Sequence, residues 1–61
     1  MKSHKDRIIE LLKKEEVVSS SEVARFLKVS WNTAEKYLLE LALEGKLRRK
    51  KKEGGNLWLK N

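Results

Sequence analysis

The chain has 61 residues, which is enough for one small domain that buries only about 60% of the surface of its unfolded chain. It has no cysteine for disulfides or thiolate metal sites, no stretch near the roughly 18 apolar residues of a membrane span, and no signal-peptide pattern at its charged start. Fifteen basic residues against nine acidic residues give a formal net charge of +6, an excess that favours a polyanionic partner.

The first predicted element is a helix over residues 3–16. Ile8, Leu11 and Leu12 recur at helical spacing, and charged residues fill the opposite face. Ile9 widens the apolar stripe, which places it either at the edge of the core or in contact with another subunit. We favour the edge of the core, because wide stripes are normal for helices of globular proteins.

Residues 17–19 are predicted to form a short extended segment, because two successive valines before a serine run suit a strand better than more helix. A second helix is predicted over residues 20–27. Ser19 and Glu22 have the spacing of a capping box, in which each side chain satisfies a backbone N–H at the start of a helix.

A third helix is predicted over residues 31–44. An apolar series at i, i+4 and i+7 begins at Ala34, and Ser30 is a favourable N-terminal cap. Gly45 is expected to end the helix, because the residue that follows a helix often needs a positive φ angle.

Residues 46–60 are predicted to form a two-stranded β-hairpin. Residues 46–52 hold six of the eight basic residues in the second half of the chain, residues 53–56 form a turn signal, and residues 57–59 have strand composition. The period of two along a strand puts Trp58 on one face and its neighbouring leucines on the other. Which face meets the helices stays open, and at least one of them is expected in the core.

These elements predict one domain over residues 1–61 with an α+β fold, mainly α, in which three helices accompany a small antiparallel sheet of two to three strands. The run Ser20-Ser21-Glu22-Val23-Ala24-Arg25-Phe26-Leu27-Lys28-Val29-Ser30 is followed by Thr33-Ala34, Leu38, Leu41, Gly45, Leu47 and Arg49. This pattern resembles the winged helix-turn-helix superfamily of DNA-binding proteins across nearly the whole chain. Small archaeal and archaeal-virus transcriptional regulators look similar.

The resemblance implies that the third helix is a recognition helix, which enters the major groove of double-stranded DNA by its N-terminal end. The side chains that it would bring to the DNA are Ser30, Trp31, Asn32, Thr33 and Lys36. Asparagine pairs with adenine and the threonine methyl group contacts the thymine methyl group. Asn32 and Thr33 alternatively serve only as solvated residues of the first helical turn, and Trp31 contacts DNA, the second helix or a protein partner.

The hairpin corresponds to the wing of the family, which lies along a minor groove or the phosphate backbone. Its basic residues are Arg48, Arg49, Lys50, Lys51 and Lys52. Their alternative role is a solvated basic edge that discourages strand pairing. Additional candidates for phosphate contacts are Ser20, Ser21 and Lys28, although capping explains the serines equally well.

The resulting hypothesis is a transcriptional regulator that binds double-stranded DNA, works in the cytoplasm with the nucleoid, and is not an enzyme. No cofactor, metal, membrane or small-molecule effector is expected, since His4 is the only histidine and no catalytic group of residues is visible. A homodimer on two half-sites would ease sequence recognition. The alternatives are a winged-helix module for protein–protein interaction, through Trp31 and Ile9, and an RNA-binding or ribosome-associated protein.

Overall fold

The computed structural model describes residues 2–53 and 55–61. Along the chain lie α1 (His4–Lys14), β1 (Val17–Ser19), α2 (Ser20–Leu27), α3 (Trp31–Leu43), β2 (Leu47–Lys52) and β3 (Gly55–Lys60). The strands form one antiparallel sheet in the order β1-β3-β2. The predicted α+β fold with three helices is therefore confirmed in a winged-helix-like arrangement, and β1 is the third strand of the sheet.

Two helices end one or two residues earlier than predicted. The first helix ends at Lys14 rather than at residue 16, because Glu15 is already extended, with φ −106° and ψ 117°, and leads into β1. The third helix ends at Leu43, followed by Gly45 with the expected positive φ of 81°. β2 begins at Leu47, and β3 begins at Gly55, so Gly55 and Asn56 of the predicted turn belong to a strand. Gly54 lies outside the described residues.

Each helix begins at a serine whose hydroxyl accepts a hydrogen bond from the backbone N–H three residues later: Ser3, Ser19 and Ser30. In α1 and α2 the capping box is complete, because an acidic side chain accepts a hydrogen bond from the serine backbone N–H. The second helix ends at Leu27, and its C-cap residue Lys28 adopts the left-handed conformation with φ 59°. These local signals explain why three short helices begin where they do.

Trp58 lies at the centre of the core and is 0% exposed. Its indole N–H donates to the Ser20 hydroxyl over 2.9 Å, so the sheet face that carries Trp58 is the one that meets the helices. The buried apolar residues around it are Ile8, Leu12, Val18, Val23, Ala24, Leu27, Ala34, Leu38, Leu41 and Leu47. No helix within residues 2–53 and 55–61 has the length and apolar character needed to cross a membrane.

Candidate nucleic-acid interface

The first turn of α3 presents a mixed set of side chains to solvent. Trp31 is 49% exposed, and Asn32 and Lys36 are exposed beside it. Ser30 and Thr33 are engaged with each other instead: the Ser30 hydroxyl accepts from the Thr33 backbone N–H at 3.2 Å and donates to the Thr33 hydroxyl at 2.9 Å. The exposed side chains at this end of α3 that can reach a ligand are therefore Trp31 and Asn32 in the first turn and Lys36 one turn further along.

A shallow groove joins the start of α3 to the starts of α2 and β3. The residues that line it are Ser19, Ser20, Ser21, Trp31, Gly55 and Asn56. Since the exposed Trp31 shares this groove with Gly55 and Asn56 at the tip of the hairpin, α3 and the hairpin form one continuous surface.

A direct hydrogen bond also connects α3 to the hairpin. The Asn56 side-chain amide donates to Glu35 Oε1 over 3.0 Å, whereas Glu35 Oε2 is buried without a hydrogen-bond partner. The bond from Asn56 supplies a partner to one oxygen of this partly buried carboxylate and ties the start of β3 to α3. The sequence pattern gave no signal for this contact between Glu35 and Asn56.

The five wing cations, Arg48, Arg49, Lys50, Lys51 and Lys52, are all exposed. Within the described part of the chain, the ion pairs join Lys2 to Glu10, Lys5 to Glu40 and Glu44, and Lys46 to Glu44. None of these ion pairs includes a wing cation. Among the described residues, the cations of β2 are therefore exposed and not held in ion pairs.

Strand register divides the wing cations between the two faces of the sheet. Arg49 pairs with Trp58 and Lys51 pairs with Asn56, so these two cations lie on the face that meets the helices. Directly paired residues in an antiparallel sheet share a face, and successive residues alternate. The remaining three, Arg48, Lys50 and Lys52, lie on the opposite face.

The three residues predicted to contact phosphates differ in their exposure to solvent. Ser20 is only 3% exposed, and its hydroxyl accepts a hydrogen bond from the Trp58 indole N–H, so its side chain belongs to the core. Burial of the tryptophan N–H requires an acceptor, and Ser20 supplies it. Ser21 and Lys28 are exposed, and Lys28 projects from the turn between α2 and α3.

Acidic side chains gather instead at the opposite end of α3. The Lys5 ammonium donates to Glu44 over 2.9 Å and lies 3.2 Å from Glu40. The hydrogen bond to Glu44, followed by that to Glu40, raises the pKa of Lys5, and the same bond from Lys5 lowers the pKa of Glu44. This pairing ties α1 to α3 and leaves the wing end of the molecule the more positive.

The apolar residues outside the central core differ in how far they are buried. Ile9 is partly buried and packs against the core, as favoured by its place in the α1 stripe. On α3, Leu39 is partly exposed and Leu43 is 88% exposed, and the sequence pattern gave no role to Leu43.

Comparison with protein families assigns the chain to a known group. The pattern of the family described as "Bacterial protein of unknown function (DUF977)" matches residues 2–56. The chain belongs to the DUF977 family. The DUF977 match spans the three helices, β1, β2 and the first two residues of β3, and therefore contains the recognition-helix candidates and the wing cations. No curated protein and no solved structure matches the chain.

Proposed function

We propose that this DUF977 protein binds double-stranded DNA as a transcriptional regulator, with α3 in the major groove and the wing on the minor groove or phosphate backbone. The observation that carries the proposal is the continuity of two surfaces. The exposed first turn of α3 lies beside the wing, to which the hydrogen bond from Asn56 to Glu35 connects it. The wing adds a cluster of cations without acidic partners among the described residues.

In this proposal the first turn of α3 reads the bases. Asn32 is exposed and has the bidentate amide that pairs with adenine. Lys36 lies one turn further along and reaches a guanine or a phosphate. The large exposed surface of Trp31 would be buried against the DNA, where contact with sugars or a thymine methyl group removes it from water.

In this proposal, the wing and the flanking turns position the protein on the DNA and supply the positive charge that attracts it. Arg49 and Lys51 lie on the helix-facing side of β2, nearest the surface that α3 presents, and Lys52 lies at the end of the hairpin. Ser21 and Lys28 are the exposed candidates for phosphate contacts at the other side of α3. Arg48 and Lys50 act through the long-range field, which raises the local concentration of a polyanion. In a bacterium, such a protein would act in the cytoplasm, on the nucleoid.

The test is a fluorescence anisotropy titration of a labelled DNA duplex at three salt concentrations, with single-stranded DNA and duplex RNA as competitors. About four to six phosphate contacts predict a log–log salt slope of roughly −4 to −5. Replacing Arg49 and Lys51 by alanine should reduce that slope by about 2, whereas Asn32→Ala should mainly change sequence preference. The stoichiometry of the same titration distinguishes one bound copy from a dimer.

The matched control is the double variant Arg48→Ala, Lys50→Ala, which removes the same net charge from the other face of the same strand. We expect it to change the slope by less than the helix-facing pair does. Tighter binding of duplex RNA than of duplex DNA, or no binding of duplex DNA near physiological salt, contradicts the proposal.

A further inference from the structure

The sheet has a second face, opposite the helices, whose composition DNA binding does not explain. The register places Val17 beside Leu59, and Leu59 beside Arg48, in one row across the three strands. The next row places Ser19 beside Leu57, with Lys50 beyond it. Because Trp58 and Val18 are paired on the helix-facing side, both of these rows lie on the outer face.

The apolar residues on this outer face do not belong to the core. Val17 is 43% exposed, and Leu57 and Leu59 are partly exposed. None of the three is among the partly buried residues that pack against the core cluster, in contrast to Ile9 and Tyr37. Val17, Leu57 and Leu59 therefore form an aliphatic strip, called here the outer strip, that lies outside the core and stays partly exposed.

A row of positive charge borders the outer strip. Arg48 and Lys50 lie beside Leu59 and Leu57, and Lys52 lies beside Gly55 at the hairpin end. Residues two apart on a strand are about 7 Å apart, so the three cations form a regular line along one side of the strip. Among the described residues, none of the three is in an ion pair.

We propose that the outer strip and its border of cations bind an acidic amphipathic helix of a protein partner. A sheet face with apolar residues is normally covered by a further layer, and a helix with one apolar stripe is a common covering element. The partner must carry carboxylates beside that stripe, since Arg48, Lys50 and Lys52 would otherwise be repelled or left unpaired at the contact. A second copy joined face to face is disfavoured, because it would bring these like charges together.

The composition of the outer face also separates a protein partner from two other classes of ligand. None of the described residues on this face is aromatic. Single-stranded nucleic acid binds through bases stacked on aromatic side chains, and membrane-interface surfaces favour tryptophan and other large side chains that enter the lipid boundary. Aliphatic side chains beside cations instead match a helix that has leucine along one face and glutamate on the flanks of that face.

The probe for this proposal is a fluorescein-labelled peptide of about eighteen residues, five helical turns, with leucine at i, i+3, i+4 and i+7 and glutamate on the flanks. Binding to the intact protein is followed by anisotropy, without DNA present, so the result does not depend on the proposed DNA binding. The double variant Arg48→Glu, Lys50→Glu should weaken peptide binding about tenfold, a loss near 1.4 kcal/mol. Leu57→Ser should weaken it as well, with folding checked by circular dichroism.

The matched control is Arg49→Glu, Lys51→Glu, the same charge change on the helix-facing side of β2. It should leave peptide binding within about threefold of the unaltered protein, and chemical-shift changes in the unaltered protein should centre on Val17, Leu57 and Leu59. Equal losses from the two charge variants, or equal binding of a peptide with alanine in place of leucine, would overturn the proposal. Competition by phosphatidylglycerol vesicles that depends on the same residues would overturn it in favour of an anionic membrane surface.

Discussion

At the scale of single residues, the serines near α2 show what local sequence patterns can and cannot predict. Ser19 was predicted as a cap from its spacing to Glu22, and the bonds between them are present. The role of Ser20 depends on Trp58, which is 38 positions away in the sequence, so no local pattern predicts it. The same holds for the contact between Glu35 and Asn56, because the approach of the hairpin to α3 is a property of the tertiary fold.

Replacing Ser20 by alanine should lower the free energy of unfolding by about 1–3 kcal/mol, because it leaves the buried Trp58 indole N–H without an acceptor. Urea denaturation followed by circular dichroism measures the change. Ser21→Ala is the control, since Ser21 is exposed and its loss should cost no more than about 0.5 kcal/mol. Equal effects of the two substitutions would show that the indole bond contributes nothing specific.

At the scale of elements, the sequence predicted what local backbone chemistry controls. Serine caps, a glycine after α3 and two successive valines before α2 produced boundaries within one or two residues of those observed. The end of α2 was placed correctly, but the left-handed conformation of Lys28 was not foreseen, since lysine gives no signal for positive φ. A left-handed residue other than glycine has a steric cost of about 1–2 kcal/mol.

Lys28→Gly should therefore raise the free energy of unfolding by up to about 1 kcal/mol, after the greater flexibility of glycine in the unfolded chain is subtracted. It should also weaken DNA binding slightly if Lys28 contacts a phosphate. The opposite change is Gly45→Ala, at φ 81°, where an added Cβ meets no atom within 4 Å. That variant should lose about 1 kcal/mol through backbone strain alone. A thermal melt in which Lys28→Gly unfolds at a lower temperature than Gly45→Ala would contradict this account.

The ion pair between Lys5 and Glu44 should make a pH-dependent contribution to the packing of α1 on α3. The lowered pKa of Glu44 means that its contribution is present above the ordinary value of 4.5 and is lost as the pH falls through the lower folded value. The raised pKa of Lys5 means that its contribution is present below 10.5 and is lost as the pH rises through the higher folded value.

Lys5→Met should consequently lower the melting temperature slightly near pH 7, because exposed ion pairs contribute little. The difference from the unaltered protein should shrink as the pH falls below the ordinary Glu44 pKa of 4.5 and as it rises above the ordinary Lys5 pKa of 10.5. Lys13→Met, an exposed change on the same helix, should show no such dependence. A constant difference between pH 3 and pH 7 would mean that lost packing of the lysine stem, rather than charge, causes the effect.

At the scale of the whole molecule, composition predicted an excess of positive charge in the hairpin, and periodicity predicted the α+β fold. The division of the wing cations between two faces depends on strand register, because a shift of one residue exchanges the faces. Pairing of β3 with both β1 and β2 sets that register, with Trp58 opposite Val18 and Arg49. The sequence alone left open which face of β3 met the helices, so it could not separate the two candidate surfaces.

The most direct test of DNA binding is a ¹H–¹⁵N correlation spectrum of the labelled protein, titrated with an unlabelled DNA duplex. The account predicts that the largest shift changes fall on residues 30–36 and on the helix-facing wing residues Arg49 and Lys51, with smaller changes at Ser21 and Lys28. Shift changes confined to α1, or to Val17, Leu57 and Leu59 on the outer face, would place the ligand elsewhere. An unchanged spectrum at excess duplex would contradict DNA binding altogether.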